Sequence, residues 1–269
     1  MAEPTTRGAL PLEALLVRKR LTVSASLIAL VALAWGYLAL TMPLAGGVDG
    51  WLATVAEICR VEPTGPWGIA DAAWLLVMWL VMSVAMMLPT AAPMILTFAD
   101  ITATKLSGRA LLARVGIFAG GYLAVWGAYA VAATGVQWAL HETALTQADG
   151  AGPWLTGGLL VVAGAYQFTP LKDLCLSQCR NPMTWFMGHW RNGAAGAWRM
   201  GLAHGAWCLG CCWALMLVMI AAGAMNLAWM AVLAALMLAE KVLPHPTLTG
   251  RAAGVLLTGW GLALLWAGV

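Results

Sequence analysis

Seven long apolar stretches, at about 21–41, 72–97, 112–139, 154–171, 199–223, 225–243 and 250–268, limit what this chain can fold into. Roughly 20 consecutive apolar residues suffice for a helix to cross the hydrocarbon core of a bilayer. Only 9% of the 269 residues are charged and 62% are hydrophobic, whereas a soluble domain carries about 25% charge. The sequence therefore reads as an all-α membrane protein, a polytopic bundle of about seven transmembrane helices forming a single domain over residues 1–269. Leu21 to Leu40 is long enough to span and has no convincing small-x-small cleavage site after it, so it reads as a retained first span behind a cytoplasmic segment, residues 1–20.

The basic residues sort with that reading. Thirteen of the 14 Lys and Arg fall before the first span, between the second and third, between the fourth and fifth, or between the sixth and seventh; Arg60 alone falls opposite. The positive-inside rule then places the N-terminus in the cytoplasm and the C-terminus outside. The expected location is a bacterial inner membrane, with the lipid bilayer as the constant partner and other membrane subunits or a second copy as further ones. The distribution of the basic residues, not the net charge of +3, sets topology here, and the net charge gives no reason to expect nucleic acid.

The most informative span is Gly201–Leu217, Gly-Leu-Ala-His-Gly-Ala-Trp-Cys-Leu-Gly-Cys-Cys-Trp-Ala-Leu-Met-Leu. On a helix, His204, Cys208, Cys211 and Cys212 share one face. Imidazole and thiols on one buried stripe suit a soft or borderline metal ion, although cysteine also packs as a small hydrophobe. Cys175 and Cys179, four apart near the end of the fourth span, form a second pair facing one way if that segment is helical, and Pro170 there kinks the span or restarts it. Tyr166 and Gln167 add polar atoms nearby. Cys59, in the loop from Pro43 to Ala70, is the one cysteine expected on the outer side and has no partner there for an intrachain disulfide.

The second span repeats methionine at Met78, Met82 and Met86, a one-faced thioether stripe that suits Cu(I) or fills gaps between helices. Pro89 and Pro93 are expected to kink or break its inner end and to free carbonyls that need new partners. Gly116 and Gly120 in the third span have the spacing of a close helix contact, and nothing else in that span points to chemistry. A short turn near Asn226 implies that the fifth and sixth spans pack antiparallel. Glu240 and Lys241, at the inner edge of the sixth, form either a functional pair or a snorkelling lysine beside a solvated carboxylate. His189 reads as a solvated loop residue, and Asp100, Lys105, His141, Glu142 and Asp149 as solvated positions.

Taken together, the Met-rich span with its prolines, Tyr-Gln-x-Thr-Pro-Leu-Lys-x-x-Cys-Leu-x-x-Cys-Arg, Gly-x-x-His-Gly-x-x-Cys-x-Gly-Cys-Cys-Trp and the Glu-Lys ending resemble a bacterial family of predicted metal-binding integral membrane proteins, catalogued as a domain of unknown function. The resemblance covers most of residues 70–245 and implies a helical membrane fold and a bound metal; it implies no particular activity. The expected function is handling of a soft metal, as carrier or membrane metallochaperone. Cys175, Cys179, His204, Cys208, Cys211 and Cys212 would be ligands and Met82 and Met86 relays; copper(I) is favoured and zinc is the alternative. A membrane oxidoreductase using the metal or the cysteine pairs, and a scaffold or assembly subunit, are the competing readings. Hydrolase chemistry lacks a motif, since neither HExxH nor a phosphate-binding glycine loop is present.

Overall fold

The computed structural model describes residues 12–41, 68–142, 146–147, 150–151, 153–221 and 227–267. Cys59 and Asp149 lie outside these residues. The described chain is helical: α1 Leu12–Thr41, α2 Ile69–Ala103, α3 Gly108–Glu142, α4 Pro153–Tyr166, α5 Pro170–Arg180, α6 Pro182–His189, α7 Gly193–Ala221, α8 Leu227–Val242 and α9 Pro246–Ala267. One small antiparallel bridge, β1 (Thr146–Gln147) with β2 (Gly150–Ala151), links α3 to α4. Five helices, α1, α2, α3, α7 and α9, are long and apolar enough to cross a membrane. Leu33 at 70%, Val131 at 60% and Leu256 at 73% exposure put apolar side chains on the outside of the bundle, the arrangement a lipid solvent rewards and water does not.

The expected fourth and sixth spans are present as helices but are short, 14 residues in α4 and 16 in α8. Their ends sit beside the middle of α7: Tyr166 Oη of α4 donates to the Gly210 carbonyl, and Lys241 Nζ of α8 donates to Cys208 Sγ. Between the expected fourth and fifth spans the chain folds into α5 and α6: the helix that Cys175 and Cys179 need to face one way is present, and the loop expected at His189 is instead the end of a helix. Proline signals explain both starts. Thr169 caps α5 by accepting from the Lys172 amide ahead of Pro170, and Pro182 occupies the first turn of α6, where its missing N–H costs nothing. Pro170 thus restarts the helix rather than bending the old one.

α2 continues as one helix through Pro89 and Pro93, so these prolines do not break it, and a carbonyl they free does find a new partner. Proline at position 89 removes the donor that would bond to the Ala85 carbonyl. Trp35 of α1 supplies a replacement, its Nε1 donating to Ala85 O at 3.1 Å. The helix survives because a neighbour satisfies what proline left open.

α7 lies at the centre, against α3, α5 and α4, and α9 covers α4 and α8. The turn expected near Asn226 lies outside the described residues; α8 touches α7, as expected of neighbouring spans, but packs more on α2 and α9. The close crossing in α3 is at Gly121, not at Gly116, around which a Cβ would find open space. A Cβ on Gly121 would lie 3.2 Å from Gly201 Cα, and one on Gly201 would lie 2.1 Å from the Phe118 carbonyl oxygen. Both backbones therefore touch. Gly201→Ala is expected to destabilise the protein by about 1–3 kcal/mol, the usual range for overpacking, while Gly116→Ala leaves stability unchanged or slightly raised. Thermal melting in detergent measures both.

Candidate metal centre

The stripe on α7 forms as its spacing required. Cys208, Cys211 and Cys212 are at most 1% exposed, and their sulfurs lie within 4.8 Å of one another. Cys211 Sγ donates to the Cys208 carbonyl at 3.1 Å and stands 3.3 Å from Cys212 Sγ. Cys179 of α5 is buried beside this group, near enough to Cys208 and Cys211 to interact with both, but it is not one of the three sulfurs that lie mutually within 4.8 Å. Cys175, one turn earlier on α5, presses its sulfur against the backbone of Gly210, where a Cβ would be only 2.6 Å away. Glycine at 210 is what lets α5 approach α7 this closely. The second cysteine pair thus divides: Cys179 faces the thiol cluster and Cys175 packs beside it.

Cys208 is the hub. Lys241 Nζ donates to its sulfur at 3.0 Å and to Thr90 Oγ1 at 2.9 Å. Tyr122 Oη donates to the Met87 carbonyl at 2.9 Å and stands 3.1 Å from the same sulfur. α2, α3, α5, α7 and α8 therefore all contribute to one polar point inside an apolar bundle. A soft metal binds the thiolate, and an ammonium at 3.0 Å is the counter-charge a thiolate needs in a medium that solvates ions poorly.

His204 stands one turn from Cys208, 1% exposed, its ring stacked on Tyr122 at 5.4 Å with Trp185 edge-on at 6.0 Å. Neither ring nitrogen has a hydrogen-bond partner among the described residues. Leaving a buried polar group unsatisfied costs about 1–3 kcal/mol. The His204 ring nitrogens lie outside the group of three sulfurs that are mutually within 4.8 Å, but an imidazole with a free lone pair one turn from a thiol cluster suits a metal, and the sulfur-rich donor set suits a soft one. His189, in contrast, is exposed at the end of α6 and stacks on Trp185 at 4.8 Å.

Glu240 and Lys241 are both buried, at 1% and 7% exposure, so neither is solvated nor snorkels. Glu240 forms a 2.5 Å ion pair with Lys172 of α5, which also donates to Gln167. Arg180 donates to the Glu240 and Leu243 carbonyls and so satisfies the end of α8. Met82 and Met86 are fully buried in the core with Met78, Met87, Met216, Met219, Met230 and Met237. Sequence reasoning missed Tyr122, Thr90 and Lys172. Tyr122 and Thr90 had no motif; Lys172 sat inside one and was read only as a topology-setting charge.

The fold and the site together define a helical protein with a buried thiol cluster, a counter-ion and an unpartnered histidine. The family model described as PpoB2, copper chaperone, matches residues 76–264. The chain belongs to this copper chaperone family, which agrees with the metal-related kinship expected from the His/Cys motif. No curated protein and no solved structure matches it.

Proposed function

We propose that this protein is a membrane metallochaperone that holds copper(I) as its cargo at the α7 cluster. Cys179, Cys208, Cys211 and Cys212, with His204, would be the ligands; Cys175 is close behind them, and Met82 and Met86 serve as thioether relays through the core. Lys241 balances the thiolate charge, while Tyr166, Gln167 and Glu240 brace the helix ends around it. The observation that carries the reading is the convergence of thiols on Cys208 beside a buried histidine with no partner of its own. Thiolate and thioether donors favour copper(I) over harder ions, and zinc, which His and Cys also suit, is the competitor to test.

The reading includes the seven-span topology, with α4 and α8 as its short members, an N-terminus in the cytoplasm and a C-terminus outside, in a bacterial inner membrane. Cysteine accessibility labelling from each side checks the orientation. For the cargo, protein purified under reducing conditions from cells given both copper and zinc is expected to carry about one copper per chain by elemental analysis. Zinc alone at that stoichiometry removes the copper assignment. Protein that stays free of both metals, even after anaerobic Cu(I) loading, removes the function.

A further inference from the structure

A cavity of about 260 Å³ opens where the end of α2 meets the starts of α3 and α7. Phe98, Thr102, Lys105, Arg114, Trp190 and Arg191 line it. Three of these are cations, and none has a carboxylate partner among the described residues, whose only ion pairs are Lys172–Glu240 and Arg20–Asp100. Uncompensated charges of one sign converging on a concavity attract an anion and gain from the low-dielectric wall behind them.

A second, independent feature points the same way. Thr102 is 8% exposed, and its hydroxyl has no hydrogen-bond partner among the described residues. Other threonines on α2 and at its C-cap behave differently: Thr90, Thr97 and Thr104 all return their hydroxyls to carbonyls three or four residues back. Thr102 leaves unused the option they take, in the wall of a cationic cavity, where a ligand oxygen could accept from it.

We infer that this cavity binds a phosphate group, held by Arg114, Arg191 and Lys105 with Thr102 donating a hydrogen bond. Guanidinium forks match tetrahedral oxyanions, and Trp190 and Phe98 supply the apolar rim that an acyl or other organic substituent would rest on. The phosphate belongs either to an anionic phospholipid or to a soluble phosphate compound. The site is independent of the copper reading, and only its lipid source rests on the protein being in a membrane.

The test is native mass spectrometry of the delipidated, detergent-purified full chain titrated with phosphatidylglycerol or phosphatidylcholine, together with thermal melting in inorganic phosphate. The first phosphatidylglycerol is expected to bind about tenfold or more tighter than phosphatidylcholine, since each basic contact to an anionic headgroup contributes about 1 kcal/mol. Arg114→Gln/Arg191→Gln abolishes that preference and Thr102→Val weakens it. Arg109→Gln/Arg199→Gln, with the same loss of charge outside the cavity, keeps it. Stabilisation by inorganic phosphate that depends on Arg114 and Arg191, without lipid preference, also supports the site and makes its ligand soluble. No discrimination in either arm, or equal losses in the two double variants, overturns it. Copper content measured on the same preparations tells failure of this site from failure of the thiol centre.

Discussion

Cys208→Ser is expected to lower the Cu(I) affinity of the reduced protein by about a hundredfold or more, equivalent to roughly 2.7 kcal/mol, the largest loss for any single thiol. Among the described residues Cys208 combines contact with the Lys241 ammonium and the Tyr122 hydroxyl with a sulfur within 4.8 Å of those of Cys211 and Cys212. Serine keeps the size but replaces a soft donor with a hard one that copper(I) disfavours. Cys175→Ser, whose sulfur rests on Gly210 rather than in the cluster, is expected to lose only about tenfold, the low end of what groups supporting metal ligands contribute. Anaerobic competition with a chromophoric Cu(I) chelator measures both. Equal losses from the two variants would mean that the cluster is not centred where the geometry puts it.

The second large effect concerns stability. Lys172→Met leaves Glu240 as an unpaired charge at 1% exposure, and breaking a buried pair from one side costs about 3–5 kcal/mol. Adding Glu240→Leu is expected to recover most of that loss, because an apolar pair no longer needs solvation where none is offered. Melting temperature and folded yield in detergent follow the cycle. Additive losses in the double variant would show that the two side chains are not coupled and that the ion pair does not hold α5 to α8.

Much of the centre could be read from spacing. His204, Cys208, Cys211 and Cys212 needed only the helical period to share a face, and a 29-residue helix delivers that. What could not be read was which other elements would meet them. Tyr122 is 86 residues from Cys208 and Thr90 is 151 from Lys241, and no local pattern marks a single hydroxyl on an apolar helix. Cys175 and Cys179 looked equivalent because the period fixes their common face but not which neighbour each one meets. Hydropathy also hides helix ends: the residues after Tyr166 are apolar enough to prolong the expected fourth span, and only Pro170 with its capping threonine hinted at the division. That Pro89 would free a carbonyl needing a new partner was legible, but not that the helix would stay unbroken, because Trp35, the donor that fills the gap, lies 50 residues away.

The two short helices have a consequence for how the chain is made. At 14 residues, α4 falls below the roughly 20 that cross a bilayer alone, and its cover is α9, the last helix. Gly157 meets Gly261, and Gly164 meets Gly254 and Thr258, with backbones so close that an added Cβ would clash. The start of α9 also closes over the buried ion pair, a Cβ on Gly250 lying 3.3 Å from Glu240 Oε1 and 3.5 Å from Lys172 Nζ. During synthesis, then, α4, α5 and α8 wait for a segment that leaves the ribosome after all of them. α9 latches the bundle, and the cysteines gain their finished surroundings only after that helix has been made.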